Sequence, residues 1–209
     1  MSIRETNNFE EAAVQYLSHP DCLRLALDIY ELVPMVKEEI LLRFWKKVAS
    51  ELKDTVCAKP GWEIEPLVEI ELRELKNLCG VKVCQKSLEE IDFYRLYFKV
   101  QFEADEIFIG IGFNSKWEGK AAYPQSLTET VKALEARKWS TTENKCWWPA
   151  LKVTEYKPLE KNTLLKFAAD DSAAESIAEI LISIFNEFHS KIEQANQELA
   201  KIKFEKKSA

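Results

Sequence analysis

At 209 residues and 46% apolar side chains, the chain is long enough for one domain with its own core and too apolar for disorder. A net charge of −6, from 29 basic against 35 acidic residues, argues against a dedicated nucleic-acid binder, whose affinity rests on neutralising phosphates. No apolar run approaches the roughly 20 residues that span a bilayer, and MSIRETNNFEEAA lacks the regions of a signal peptide, so a cytoplasmic protein without membrane association is expected.

Ser18-His19-Pro20-Asp21 reads as a helix start, with proline in the first turn. Leu23, Leu27 and Tyr30 follow at helical spacing. Pro34 lacks an N–H, so an interruption or restart is expected there. Leu41, Trp45, Val48, Leu52 and Val56 then continue in steps of four and three, widened by Ile40 and Phe44. Lys59-Pro60-Gly61 closes this unit, and the segment 65–80, EPLVEIELRELKNLCG, suits a helix between Pro66 and Gly80. Val68, Ile70 and Leu72 would also suit a strand. Val81 and Val83 read as a short strand.

YRLYFKVQF and IFIGIGFN are two strands joined by a short acidic turn. Phe98, Val100 and Phe102 share one face of the first, and Tyr97, Lys99 and Gln101 the other. In the second, Ile107, Ile109, Ile111 and Phe113 share a face. Gly110 and Gly112 lie opposite them and leave a bare track that a helix, a backbone or a ligand must approach closely. A helix is the commonest such neighbour.

Pro124 opens a further helix with Leu127, Val131 and Leu134 aligned. Segments 147–156 and 163–167 read as two more strands. Ser172 and Glu175 form a capping box for a last helix over about 171–203. Its stripe is Ile177, Leu181, Ile184, Phe188, Ile192, Leu199 and Ile202. The expected architecture is α+β: one domain over 1–209, with a mostly antiparallel sheet of four to five strands covered by long N- and C-terminal helices. Its parts would be a helical segment 1–58, a sheet-containing core 62–168 and a closing helix 171–205.

The common catalytic signatures fail. Gly119-Lys120 is followed by alanine and has no partner glycine five residues before, so there is no P-loop; Gly110-Ile111-Gly112 lies inside a strand. Five cysteines in a chain without a secretion signal imply reduced thiols, and their spacing with two histidines offers no metal knuckle. Neither a metal nor a cofactor is expected. Glu69, Glu71, Glu74 and Lys76 form the one acidic constellation. Glu74-Leu75-Lys76 has the E-x-K form that places a carboxylate on a divalent cation and a lysine beside the attacked phosphate. The alternative is a solvated charged face. Trp117, Trp147 and Trp148, with Lys116 and Lys145 near them and the Gly110–Gly112 track, are the candidate contact surface. Side-chain alternation would put one of Trp147 and Trp148 in the core and leave its neighbour half-exposed.

The order FWKKVASELKD, a helix ending in CGVKV, then YFKVQFE, IFIGIGF and CWWPALK resembles the C-terminal, non-nuclease region of bacterial and phage proteins of the PD-(D/E)XK nuclease superfamily, over roughly residues 35–190. That resemblance implies an accessory half with a binding or regulatory role and carries over no catalytic residue. The expected function is therefore a non-enzymatic protein-interaction or regulatory module of bacterial or phage origin, linked to defence or counter-defence. The rivals are a divergent metal-dependent nuclease using the Glu69–Lys76 group and a small-molecule binder with a Trp-lined groove. Another protein is the expected partner, with self-association through Leu199 and Ile202 of the last helix as an option.

Overall fold

The computed structural model describes residues 3–65, 80–86, 94–103, 105–114, 117, 122–141 and 147–207, with side chains for all of these except 3–8 and 202–207. The expected helix 65–80 therefore lies almost wholly outside the described residues. The chain divides into two compact units, Met1–Glu39 and Ile40–Ala209.

The first unit holds helix α1 (Ile3–Leu17) and the opening of α2 (Pro20–Cys57). Pro20 starts α2 as the sequence predicts, where its missing N–H costs no helical bond. Pro34, expected to interrupt the helix, sits inside it. The residues around it are exposed, so water can satisfy the carbonyl one turn back that proline cannot bond.

The second unit is built on a sheet. Its strands are β1 (Trp62–Ile64), β2 (Gly80–Gln85), β3 (Leu96–Glu103), β4 (Glu106–Phe113), β5 (Ser140–Thr141) and β6 (Ala150–Val153). They lie in the order β1-β2-β3-β4-β6-β5 with every neighbouring pair antiparallel. Asp105, in the left-handed region at φ 66°, supplies the backbone turn between β3 and β4. The helices are the rest of α2, α3 (Gln125–Glu135), α4 (Lys161–Ala169) and α5 (Ser172–Lys207). The fold is α+β with an antiparallel sheet and long N- and C-terminal helices. Six strands rather than four or five are present among the described residues. No helix of those residues is long and apolar enough to cross a membrane.

One face of the sheet takes the helices. Leu96, Phe98, Val100 and Phe102 of β3 and Ile107, Ile109, Ile111 and Phe113 of β4 are all buried. The α5 stripe seals them: Phe185 meets Phe98 edge-on at 5.4 Å and Trp62 at 5.2 Å. Further along α5, the Asn196 amide donates to Gln85 Oε1 at 3.0 Å and to the Leu96 carbonyl, and accepts from the Leu96 N–H at 2.8 Å. The expected α2 stripe from Leu41 to Val56 is buried throughout.

Segment 163–167 is helix, not strand. Leu164 and Phe167 fall three apart on one face, and Phe167 stacks on Phe44 at 4.0 Å. Arg43 donates to the Phe167 and Ala168 carbonyls and so caps the end of α4. The start of α5 also differs in detail from the expected capping box. Asp170 accepts from the Ser172 N–H and hydroxyl, while Glu175 pairs with Lys47 at 3.3 Å. Lys47 also meets Glu51 and Asp171, and these carboxylates hold its ammonium above the usual lysine range.

Candidate functional site

The second face of the sheet carries the polar half of β3. Strand alternation puts Arg95, Tyr97, Lys99, Gln101 and Glu103 there. Register adds their cross-strand neighbours: Lys82 opposite Lys99, and Gly110 beyond it, with Leu151 of β6 next in the row. An antiparallel sheet commonly leaves such a face in water. Here Tyr97, Lys99 and Gln101 are all buried, Lys99 to 6% exposure.

A cavity of about 360 Å³ opens on this face. Lys82, Tyr97, Lys99, Gln101 and Glu103 of the sheet line it, together with Phe113, Asn114 and the pair Trp147 and Trp148. The tryptophans arrive on the segment entering β6, where the Phe113 N–H donates to the Trp147 carbonyl at 2.8 Å and ties that segment to β4. Trp148 turns inward, 7% exposed and 6.2 Å from the Phe108 ring. Trp147 is 48% exposed at the rim. One tryptophan of the pair is thus buried and its neighbour half-exposed, as alternation implies.

Lys99 is the centre of the site. Its Nζ lies 4.1 Å from the centroid of the Trp148 ring. Gly112 makes room for it, since a Cβ there would land on Lys99 Cε. No carboxylate among the described residues lies within ion-pair distance of this ammonium. Burial pulls its pKa down to about 8, the nearby Lys82 adds to that, and Glu103 opposes it. A cation–π contact contributes about 1–2 kcal/mol, less than the several kcal/mol that desolvating an ammonium costs, so the neutral amine gains.

The rest of the face is aromatic and of mixed charge: Glu103 lines the cavity and accepts from the Gln101 amide at 3.4 Å, and Lys82 pairs with Glu65 at 2.9 Å. Arg95 lies 5.2 Å from the Tyr97 ring and Lys82 6.0 Å from it. Arg95 is nearly buried, and its Nε and Nη2 find no hydrogen-bond partner among the described residues. Burial raises the Cys84 thiol and the Tyr97 phenol above their usual ranges; the Arg95 guanidinium beside Cys84 offsets part of the thiol's rise.

The glycine track is met differently from the helix expected over it. The helices cover the other face. At Gly112 the close neighbour is Lys99, and at Gly110 it is the Ala150 carbonyl of β6, on which a Cβ would land. Trp117 does not join the groove. It is 3% exposed, stacked on Phe113 at 5.3 Å and packed edge-on against Tyr94 at 4.7 Å, as part of the core. Lys116 and Lys145, and the whole Glu69, Glu71, Glu74 and Lys76 group, lie outside the described residues. Among the described residues no cluster of His, Cys, Asp and Glu could hold a metal ion.

Lys99, Tyr97 and Gln101 are the site residues that sequence reasoning passes over. Their shared face is visible in the alternation, and a lysine and a tyrosine in mid-strand, opposite Gly110 and Gly112 of the next strand, are the signal that could have singled them out. Compared with protein-family models, curated proteins and solved structures, the chain finds no match.

Proposed function

We propose that the chain binds a small planar anion on the second face of its sheet. The observation that carries this reading is the buried Lys99 amine, without an ion-pair partner among the described residues, lying beside Trp148 in a cavity of about 360 Å³. Buried lysines are ordinarily paired, and a cavity with convergent polar groups and a perturbed amine is the usual form of a ligand site. Arg95 and Lys82, the latter paired with Glu65, bring positive charge against the one lining carboxylate, Glu103, while Trp148 and Tyr97 offer flat apolar surface. The reading predicts that aromatic carboxylates quench Trp fluorescence saturably and that cationic analogues of the same shape do not. Trp148→Leu would remove most of the response. Equal quenching by both charge classes would reject the reading.

A second reading, a protein-interaction module, is favoured by the first unit. Leu25, Ile29, Tyr30, Leu32 and Met35 of α2 are each more than half exposed. Residues 1–39 also carry 8 acidic against 3 basic side chains. Apolar helix surface edged with acid suits a partner groove that is apolar with a basic rim. In this reading Leu25→Glu with Ile29→Glu abolishes capture of such a partner while leaving the second unit's melting unchanged. Capture that persists would reject it. Leu199, offered by the sequence as a self-association residue, is buried within its own chain.

A further inference from the structure

Lys99 is the one buried lysine among the described residues, a property that ligand binding alone does not use. Lys47, Lys82, Lys86, Lys157 and Lys191 each have a carboxylate within ion-pair distance. Lys99 has none among the described residues. Its stem lies in the gap at Gly112, and its amine lies against one aromatic face of the cavity. An ammonium is not a nucleophile, whereas a buried amine relieved of its proton is. Burial is the main influence on that balance and lowers the pKa to about 8; Lys82 adds to it and Glu103 opposes it, so at neutral pH the ammonium still predominates but the free-amine fraction is far above that of an ordinary lysine.

We propose that Lys99 is a carbonyl-capturing amine, whose site takes a planar aldehyde or ketone bearing an acid group and joins it to Nζ as an imine. This rests on the ligand-site reading above and names its substrate class. The Nζ lone pair attacks the carbonyl carbon, the C=O π pair moves to oxygen, and the oxygen takes the proton that nitrogen gives up. The nitrogen lone pair of the carbinolamine then forms C=N as the C–O bond breaks, and the departing hydroxyl takes the remaining N–H proton and leaves as water. No oxidant or reductant is consumed, and water reverses the step. Tyr97 and Gln101 line the same cavity, and the Tyr97 hydroxyl, together with the Gln101 amide N–H not given to Glu103, can donate to the carbinolamine oxygen. Trp148, already beside Nζ, gives the aromatic plane of the ligand a surface to stack on.

The full chain is tested with 4-carboxybenzaldehyde and cyanoborohydride at neutral pH, with peptide mapping of the reduced adduct over time. Terephthalate, which keeps the plane and the charge but has no aldehyde, is titrated in parallel against Trp fluorescence. The expected result is labelling at Lys99 roughly tenfold or more faster than at exposed lysines, since their pKa values near 10.4 leave far less free amine at that pH. Terephthalate should compete, and Lys99→Arg should abolish the fast phase without changing the slow labelling elsewhere. Labelling spread evenly over the lysines while terephthalate still quenches overturns the imine and leaves the ligand site standing. No quenching together with no preferred labelling overturns both. Because the mapping is read on the unsubstituted chain, the outcome does not depend on the variant folding.

Discussion

The two faces of one sheet are closed by opposite means. On the helix face every inward side chain from Leu96 to Phe113 is apolar, and the one polar group brought in with α5, Asn196, has its amide donors and its carbonyl satisfied. On the second face the same strands bury Tyr97, Lys99, Gln101 and Arg95; Lys99 has no ion-pair partner among the described residues, and Arg95 leaves its Nε and Nη2 without a hydrogen-bond partner there. The first pattern favours stability through close-packed rings and a satisfied amide, although the buried indole N–H groups of Trp45 and Trp117 find no partner among the described residues. The second gives stability up, which is expected only where a site has another use for the buried charge.

The contrast is broken most sharply by Phe98→Ala. Phe98 is fully buried between Trp62 and Phe185. Its truncation removes transfer energy and leaves a cavity under two rings, so a loss of about 3–5 kcal/mol is expected in urea unfolding. Asn196→Ala comes next. It strands the Leu96 N–H and carbonyl and the Gln85 amide oxygen at once, for about 2–4 kcal/mol. A loss below about 1 kcal/mol would mean that water reaches this face and that the two faces differ less than the contacts imply.

Substitution on the second face should act in the other direction. Folding lowers the Lys99 pKa from an ordinary 10.5 to about 8. Between those values the unfolded chain binds more protons than the folded one, so stability rises with pH across the window. Below about pH 8 the full penalty applies, on the order of 3 kcal/mol at 1.36 kcal/mol per unit, of which the Trp148 contact returns about 1. Lys99→Met keeps the stem and removes the charge. It is therefore expected to stabilise the protein by about 2 kcal/mol at pH 7 and to flatten the alkaline rise. Chemical denaturation at pH 7 and pH 10 checks both. A destabilised Lys99→Met, or an unchanged slope, would mean that the amine is well solvated in the folded state.

How much of this was legible in the chain follows from what periodicity can carry. The α2 stripe, the α5 stripe and the β3–β4 hairpin are all marked by apolar residues at one spacing, and they fold where that spacing puts them. Thr163–Phe167 misleads because five residues with alternate bulk fit a strand as well as a helix, and only the Phe44–Phe167 stack decides. Trp117 misleads because a tryptophan beside lysine in a loop looks exposed, and only tertiary packing against Phe113 and Tyr94 removes it from the surface. Lys99 is missed for a deeper reason. Alternation tells which residues share a face, but not whether that face meets water, and the meaning of a mid-strand lysine turns on that difference.

The smallest effect bears on whether the glycine exists for the lysine. In Gly112→Ala the new methyl meets only the far end of a flexible side chain, so Lys99 can swing aside and the loss should stay near 1 kcal/mol. In Gly110→Ala the methyl meets the Ala150 backbone, which cannot move without parting β4 from β6, and the loss should be larger. The decisive quantity is the coupling between positions 112 and 99. If Gly112 is a slot for the lysine, Gly112→Ala should cost about 0.5–1 kcal/mol less in a Lys99→Ala background, and in the Lys99-containing chain it should displace Nζ from Trp148 and change that ring's fluorescence. Equal costs in both backgrounds would make the glycine a matter of strand packing alone. The close seating of amine on indole would then be incidental to the sheet, and a built site would stand on the cavity and its charges without it.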